Sequence, residues 1–184
     1  MKNVMEIISL GEFEVVSDAL NITDPCYDLD VWCCGRLENP KKGRWAARVH
    51  KADMNSWGAR CCALEAHATD SRPVGAWKRA NFEVGVDSGQ AGIFDLEHYQ
   101  NEADARDYKW QSKSSPLTGR SGWYDMCADK TLSRLGAGVI PFGCVSSSGF
   151  GDGGYNCEYR TDDNDQVVSV RIVFINEEEN DDWS

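Results

Sequence analysis

The stretch GRWAARVHKADMNSWGARCCALEAHATDS, residues 43–71, decides the fold class. Apolar and polar side chains alternate along its first part, with Trp45, Ala47 and Val49 on one face. Alternation with a period of two is typical of a strand that buries one face. A less regular alternation around Leu64 follows the polar residues 55–58. The stretch therefore predicts two antiparallel strands joined by a short turn.

Further short strands are predicted on both sides of this pair. Each combines apolar residues with glycine-containing turns, which is typical of β-rich proteins. Gly11 divides the first of them, and the acidic residues 161–165 join the last two into a hairpin. The other predicted strands are MEIISLGEFEVVSD (5–18), a short strand followed by a turn within VWCCGRLENPKKG (31–43), NFEVGVDSG (81–89), GVIPFGCVSSS (138–148), GYNCEYR (154–160) and QVVSVRIVFIN (166–176).

Two stretches between the strands predict helices. Residues 94–110 have acids early and bases late, with Asp95 as a predicted N-cap and Phe94 as its hydrophobic staple. Residues 123–136 predict a second helix that ends at Gly136. The fold class is therefore α+β and β-rich: an antiparallel sandwich or half-open barrel with two edge helices.

The chain has 184 residues, which predicts a single β-rich domain over residues 1–176 and an acidic tail over 177–184. No internal repeat is evident. The sequence contains no apolar run of the ~20 residues that a membrane helix requires and no signal peptide, so we expect a cytoplasmic protein without membrane contacts. The net charge of −11 disfavours general nucleic-acid binding.

Eight cysteines first suggest a disulfide framework. Cys33–Cys34 and Cys61–Cys62 are adjacent pairs, however, and neighbours in a strand point to opposite faces. The chain also lacks a C-x-x-C motif and has only three histidines. Reduced, buried thiols are therefore expected, with a zinc site as the alternative.

Four aspartate-containing loops at predicted strand ends carry the candidate site: residues 22–28, 86–95, 146–155 and 161–165, of which the first three also contain glycine or aromatic residues. Glycine lets a ligand approach the backbone, and aspartate offers oxygen acceptors. The alternative interpretation is structural, because aspartates often form Asx-turns and N-caps. The last loop, TDDND, lacks the glycine and glutamate of a calcium loop and predicts an ordinary hairpin turn. The candidate ligand-binding residues are Asp24, Asp87, Ser88, Gly89, Asp95, Gly151, Asp152, Gly153 and Tyr155.

Two further features admit two interpretations each. The chain contains seven tryptophans and six tyrosines, which suit either a stacking platform for a ligand or the core of a β-rich domain. The basic segment 41–51 suits either an anionic ligand or a solvated strand face.

The segments ITDPCYD, VDSGQAGIFD and SGFGDGGY, followed by the terminal strand QVVSVRIVFI, resemble an uncharacterised family of bacterial and bacteriophage proteins, a domain of unknown function. The resemblance covers about residues 10–175; the cysteine content and the acidic tail depart from the family pattern. It implies a small cytosolic or phage-encoded domain and carries no reaction. It also implies that seven residues form one feature: Asp24, Asp87, Gly89, Asp95, Gly151, Asp152 and Tyr155.

These observations predict a non-enzymatic binding module that takes a small polar ligand or a host protein through its Asp/Gly-rich loops. No catalytic residue and no cofactor is identified, with a divalent cation as the alternative. A metal-dependent hydrolase that uses the aspartates is the second hypothesis. An acidic interaction protein or DNA mimic that inhibits a host factor is the third. The sequence does not indicate an oligomeric state.

Overall fold

The computed structural model describes residues 4–111 and 122–176; the predicted acidic tail lies outside these ranges. Eleven strands form two antiparallel sheets within them, with the orders β1-β4-β5-β11-β10-β6 and β3-β2-β7-β9-β8. The strands are β1 Glu6–Val15, β2 Ala19–Thr23, β3 Gly35–Glu38, β4 Gly43–Asp53, β5 Ala59–Ala68, β6 Val74–Val86, β7 Gln90–Asp95, β8 Ala137–Ile140, β9 Gly143–Ser147, β10 Gly153–Thr161 and β11 Val167–Val173.

The sheets pack face to face, which confirms the predicted β-rich sandwich. Trp45 and Leu64 from the six-stranded sheet share one buried core with Leu20, Ile22 and Ile93 from the five-stranded sheet. The predicted strand pair of residues 43–71 is present as β4 and β5, joined by a 3-10 turn at Asn55–Trp57. Alternate apolar residues of both strands point into this core, so the periodicity identified the buried faces.

The outer face of the five-stranded sheet is covered by helical segments. The second predicted helix is present as α1, Gly122–Thr131, and Trp123 and Met126 pack there against Phe94. The first predicted helix is wrong: β7 continues to Asp95, and two 3-10 turns follow at Leu96–His98 and Glu102–Ala105. None of the helices in the described ranges has the length and apolar composition of a membrane span.

The strand orders reveal an internal pseudo-twofold relation. In the six-stranded sheet, β1-β4-β5 is followed by β11-β10-β6, which is the same order reversed if β6, β10 and β11 correspond to β1, β4 and β5. In the other sheet, β3-β2 is followed by β7-β9 in the same way, and β8 is extra. Each half therefore contributes five corresponding strands, and the second half carries the insertion that includes α1 and β8.

Several strand registers follow the same relation. The last residues of β1 and β6, Val15 and Val86, pair with the first residues of β4 and β10, which are both glycines. The β4–β5 register shifts after the eighth residue of β4, and the β10–β11 register shifts after the eighth residue of β10. At the centre, Ile22 pairs with Ile93 and Glu65 pairs with Arg171. Such agreement extends the relation from strand order to individual residues.

Candidate functional site

Asp24 fastens two loops together at one end of the sandwich. Its carboxylate is fully buried and accepts hydrogen bonds from the backbone N–H groups of Asp87 and Ser88, at 2.9 and 2.7 Å, and from Ser88 Oγ at 2.6 Å. The N–H of Cys26 donates to the same carboxylate. Both oxygens are therefore occupied by protein donors, and Asp24 holds the turn before β7 against the loop after β2.

Asp95 forms the same arrangement at the opposite end. It is fully buried and accepts from the N–H groups of Val16 and Ser17, both at 2.8 Å, and from Ser17 Oγ at 2.5 Å. We call each arrangement an Asp–Ser clasp. Ser17 precedes β2 and Asp24 follows it, whereas Ser88 precedes β7 and Asp95 ends it. Because β2 and β7 are antiparallel neighbours, each strand supplies the serine of one clasp and the aspartate of the other.

The two clasps define two ends of the molecule. The Ser88 end comprises residues 24–34, 54–58, 87–89 and 148–152, and the Ser17 end comprises residues 16–18, 39–42, 69–73 and 162–166. Six of the nine candidate residues lie in the ranges of the Ser88 end, and Gly153 and Tyr155 adjoin them at the start of β10. Asp95 lies at the other end of β7, about 17 Å along the strand from Gln90 at ~3.4 Å per residue. Asp95 is also no N-cap, because its side chain makes no capping bond to the 3-10 turn that follows.

The glycine loop 148–153 is held by Tyr155. Its hydroxyl donates to the carbonyls of Ser148 and Gly151, at 3.1 and 2.6 Å, and its ring packs edge-on against Phe174. The N–H of Gly89 donates to Asp152 at 3.1 Å, which joins this loop to the turn before β7. Gly151 adopts φ +123°, which favours glycine. Tyr155 and Gly151 thus shape the loop, and the side chain at its tip, Phe150, points outward.

Phe150 meets Trp57 at the surface of the Ser88 end. The ring centroids are 5.6 Å apart with an interplanar angle of 67°, and the residues are 49% and 58% exposed. Trp57 belongs to the turn between β4 and β5, far from the glycine loop in sequence. Exposure of two large rings to water is less favourable than their burial. The pair is therefore the strongest indication of a binding surface at this end.

The loops of the Ser88 end are rich in aspartate. The four loops of the Ser88 end contain five aspartates and no lysine or arginine. Asp87 and Asp152 are exposed, and Asp87 accepts a 2.5 Å hydrogen bond from the Tyr27 hydroxyl. This hydrogen bond and partial burial raise the pKa of Tyr27, so the phenol stays protonated and continues to donate at neutral pH. The surface therefore combines exposed rings with negative charge.

The basic segment 41–51 does not contribute to this surface. Lys42 and Arg44 at the Ser17 end form ion pairs with Asp18 and with Glu12 and Glu14. Arg48 and His50 both contact the buried carboxylate of Glu65, at 2.6 and 2.9 Å. These contacts favour the interpretation of residues 42–50 as a strand face whose charges are compensated.

Metal ligation is not favoured by the arrangement of the aspartates. Residues 4–111 and 122–176 contain no group of three or more His, Cys, Asp or Glu side chains placed to hold a metal ion. Asp24 already accepts four hydrogen bonds, and N–H donors aimed at a carboxylate occupy the positions that a cation needs.

The cysteines are core residues for the most part. Six of the eight are buried, and Cys26 and Cys34 are half-buried. Burial raises the pKa of Cys61 to about 11 and raises the pKa values of Cys127, Cys144 and Cys157. These four thiols are therefore protonated at neutral pH and are poor nucleophiles.

The sequence did not single out the Trp57–Phe150 contact, because the two residues lie in turns far apart along the chain. The signal for the clasps was present: Ser17 and Asp24 are seven positions apart, as are Ser88 and Asp95. Without the strand pairing, a spacing of two common residues does not identify a repeat.

Comparison with known proteins and protein families assigns the chain to one family. Searches of curated proteins and of solved structures returned no match. A family model described as "Protein of unknown function (DUF4241)" matches residues 13–172, which include β2–β10 and both clasps. The chain therefore belongs to the DUF4241 family.

Proposed function

We propose that this protein is a non-enzymatic binding module, cytosolic and of bacterial or phage origin, that binds a small polar ligand or a host protein at the Ser88 end. The exposed Trp57–Phe150 pair carries the proposal. Two adjacent rings at about half exposure are costly in a soluble protein unless a ligand covers them.

The surrounding loops support binding because their backbones are already fixed. Asp24 holds the loops that start at residues 24 and 87, and Tyr155 holds the glycine loop. Loops that are ordered before a ligand arrives lose little conformational entropy on binding. Exposed Asp87 and Asp152 add hydrogen-bond acceptors in the loops of the same end.

Binding is favoured over metal-dependent hydrolysis by the placement of the aspartates. A two-metal site requires carboxylates around ions about 4 Å apart. Asp95 lies at the Ser17 end, and Asp24 is occupied by donors from the backbone and from Ser88. Asp87 and Asp152 remain as exposed carboxylates, and two such groups also suit a ligand with donor groups.

A thermal-shift screen tests the proposal with a library of nucleotides, sugars, amino acids, divalent cations and short peptides. A ligand present at a hundredfold excess over its Kd stabilises the fold by roughly 2.7 kcal/mol. We expect at least one compound to raise the Tm of the wild type and not that of the double variant Trp57→Ala/Phe150→Ala. Lys41→Ala/Lys42→Ala, at the Ser17 end, is the matched control and retains the shift. No shift, or equal shifts in all three proteins, contradicts the proposal.

A further inference from the structure

We infer that the Ser88 end takes an arginine side chain presented by a partner protein, with the guanidinium against the Trp57–Phe150 rings and beside the carboxylates of Asp87 and Asp152. This inference rests on the proposed function, since it names the chemistry that the same surface recognises. It follows from ring geometry, charge and loop rigidity.

The rings form an open corner. Their planes meet at 67° with centroids 5.6 Å apart, so part of each ring face is open to solvent. A cation within about 6 Å of a ring centroid is attracted by the negative face of the ring. The molecule already makes this contact elsewhere: the guanidinium of Arg171 lies 4.3 Å from the ring centroid of Trp77.

The charge of the four loops at the Ser88 end favours a cation. They hold no lysine or arginine and five aspartates, of which Asp24 is buried: Asp24, Asp28, Asp30, Asp87 and Asp152. Arg36 and Arg60 follow two of these loops in β3 and β5. Ion pairing leaves several of these available, because Asp30 pairs with Arg36 whereas Asp87 and Asp152 contact a hydroxyl and a backbone N–H. An incoming cation is therefore attracted, and an anion is repelled.

The opposite end provides an internal comparison. Phe150 is the third residue after β9, and the third residue after the corresponding β3 is Lys41. The loop of Lys41 also contains Lys42, which pairs with Asp18. Two ends built on the same clasp therefore carry an exposed ring in one case and a cation in the other. The two ends therefore share the clasp and differ in the exposed residues around it.

Guanidinium suits this rim better than ammonium. It is planar and weakly hydrated, so it stacks on a ring at a lower desolvation cost than lysine. It also presents several N–H donors in one plane, which can reach a carboxylate while the plane stays on the ring. Phe150 sits at the tip of a loop held by Tyr155 and Asp152, so the corner is ordered before the side chain arrives.

Isothermal titration with capped hexapeptides of arginine, lysine and citrulline tests the inference on the full chain. Citrulline keeps the planar shape of arginine without the charge, because a carbonyl oxygen replaces one terminal nitrogen and leaves three of the five N–H donors. We expect binding in the order arginine, lysine, citrulline, and a five- to tenfold weaker Kd for arginine with Trp57→Ala or Asp152→Asn. The matched control is Asp163→Asn in the turn at the Ser17 end, which retains the wild-type Kd.

The outcomes separate this inference from the proposed function. Equal arginine affinity in wild type and Trp57→Ala means that the peptide binds the net negative charge nonspecifically, which overturns the inference. If the thermal-shift screen still yields a compound that requires Trp57 and Phe150, the proposed function stands with another ligand. If neither experiment depends on these rings, both are wrong. Binding of free arginine as tightly as of the peptide shifts the source from a protein partner to the amino acid.

Discussion

The Ser17 end and the Ser88 end share one frame and differ at the surface. At each end a buried aspartate accepts two consecutive backbone N–H groups and a serine hydroxyl. The residue after each clasp serine also accepts a corresponding backbone hydrogen bond. Asn39 N–H donates to the Asp18 carbonyl at 2.9 Å, and Ser148 N–H donates to the Gly89 carbonyl at 3.0 Å. The comparison teaches that the clasps are structural, because they are the same where the surfaces are different.

The surface residues that differ between the two ends are the candidates for a functional role. The Ser88 end exposes Trp32, Trp57 and Phe150, and its four loops contain aspartates without lysine or arginine, whereas the Ser17 end mixes lysine and aspartate and leads into the inserted segment with α1 and β8. Residues that differ between corresponding positions are therefore better candidates for ligand contacts than the buried aspartates. The following predictions break or sharpen this comparison.

The largest effect is expected from breaking a clasp. Asp24→Asn and Asp95→Asn each place an amide nitrogen among N–H donors in a buried site, which leaves unsatisfied groups. We expect each variant to lose about 3 kcal/mol of unfolding free energy, and the two losses to agree within about 1 kcal/mol. Urea unfolding measures both. A large loss at one end with none at the other contradicts the correspondence.

Glu65, which pairs with Arg171 at the centre of the six-stranded sheet, is expected to make the free energy of unfolding depend on pH in acid. Burial raises the pKa of Glu65, but hydrogen bonds from His50 and Arg48 outweigh it and lower the pKa to about 2. A carboxylate with a lowered pKa contributes stability above its unfolded pKa near 4.3 and loses it as the pH falls toward 2. We expect a loss of about 2 kcal/mol over this range.

Glu65→Gln tests the acid effect by urea unfolding at a series of pH values. The variant is less stable at pH 7 and its stability depends less on pH between about 4.3 and 2. Glu83→Gln, an exposed glutamate on β6, is the control. An unchanged pH profile in Glu65→Gln shows that another carboxylate controls acid unfolding.

The clasp serines are expected to have a smaller effect. Ser17→Ala and Ser88→Ala each remove one hydroxyl that donates to a buried carboxylate and leave the two backbone donors in place. A hydrogen bond to a charged group contributes ~1.5–3 kcal/mol, and we expect losses near the lower limit, measured by chemical unfolding. Each hydroxyl also accepts one further hydrogen bond, Ser17 from Glu97 N–H and Ser88 from Gln90 Nε2, so a loss at one serine with none at the other disagrees with the correspondence.

Substitution of the exposed residues Trp57 and Phe150 is expected to have the smallest effect on stability. Trp57→Ala and Phe150→Ala remove half-exposed rings, and exposed substitutions change stability by less than about 1 kcal/mol. Thermal unfolding should therefore show nearly wild-type Tm values for both variants. A loss of several degrees in either identifies the pair as a structural contact and weakens its assignment as a binding surface.

Sequence patterns predicted most of the frame. Alternation identified β4 and β5, Gly11 marked the irregularity in β1, and the acidic turn of residues 162–166 joins β10 and β11 as expected. The helix predicted at residues 94–110 failed because strand pairing with β2 extends β7 to Asp95, and Gln100 then adopts φ +57°. Tertiary pairing overrode a helical charge pattern.

The candidate site was predicted in part, for a physical reason. Asp–Gly loops at strand ends were recognisable by composition, and eight of the nine named residues converge. Asp95 was grouped with them because it ends the same segment, and only the length of β7 separates it. Trp57 joins the rim through the β4–β5 turn, a long-range contact that local sequence does not encode.

The central claim is that the Ser88 end binds a ligand and the Ser17 end does not. Hydrogen–deuterium exchange with and without the capped hexa-arginine peptide tests this claim most directly. We expect slower exchange in residues 54–58, 87–89 and 148–152, and unchanged exchange in residues 16–18, 39–42 and 162–166. Protection at the Ser17 end, or equal protection at both ends, would contradict the account.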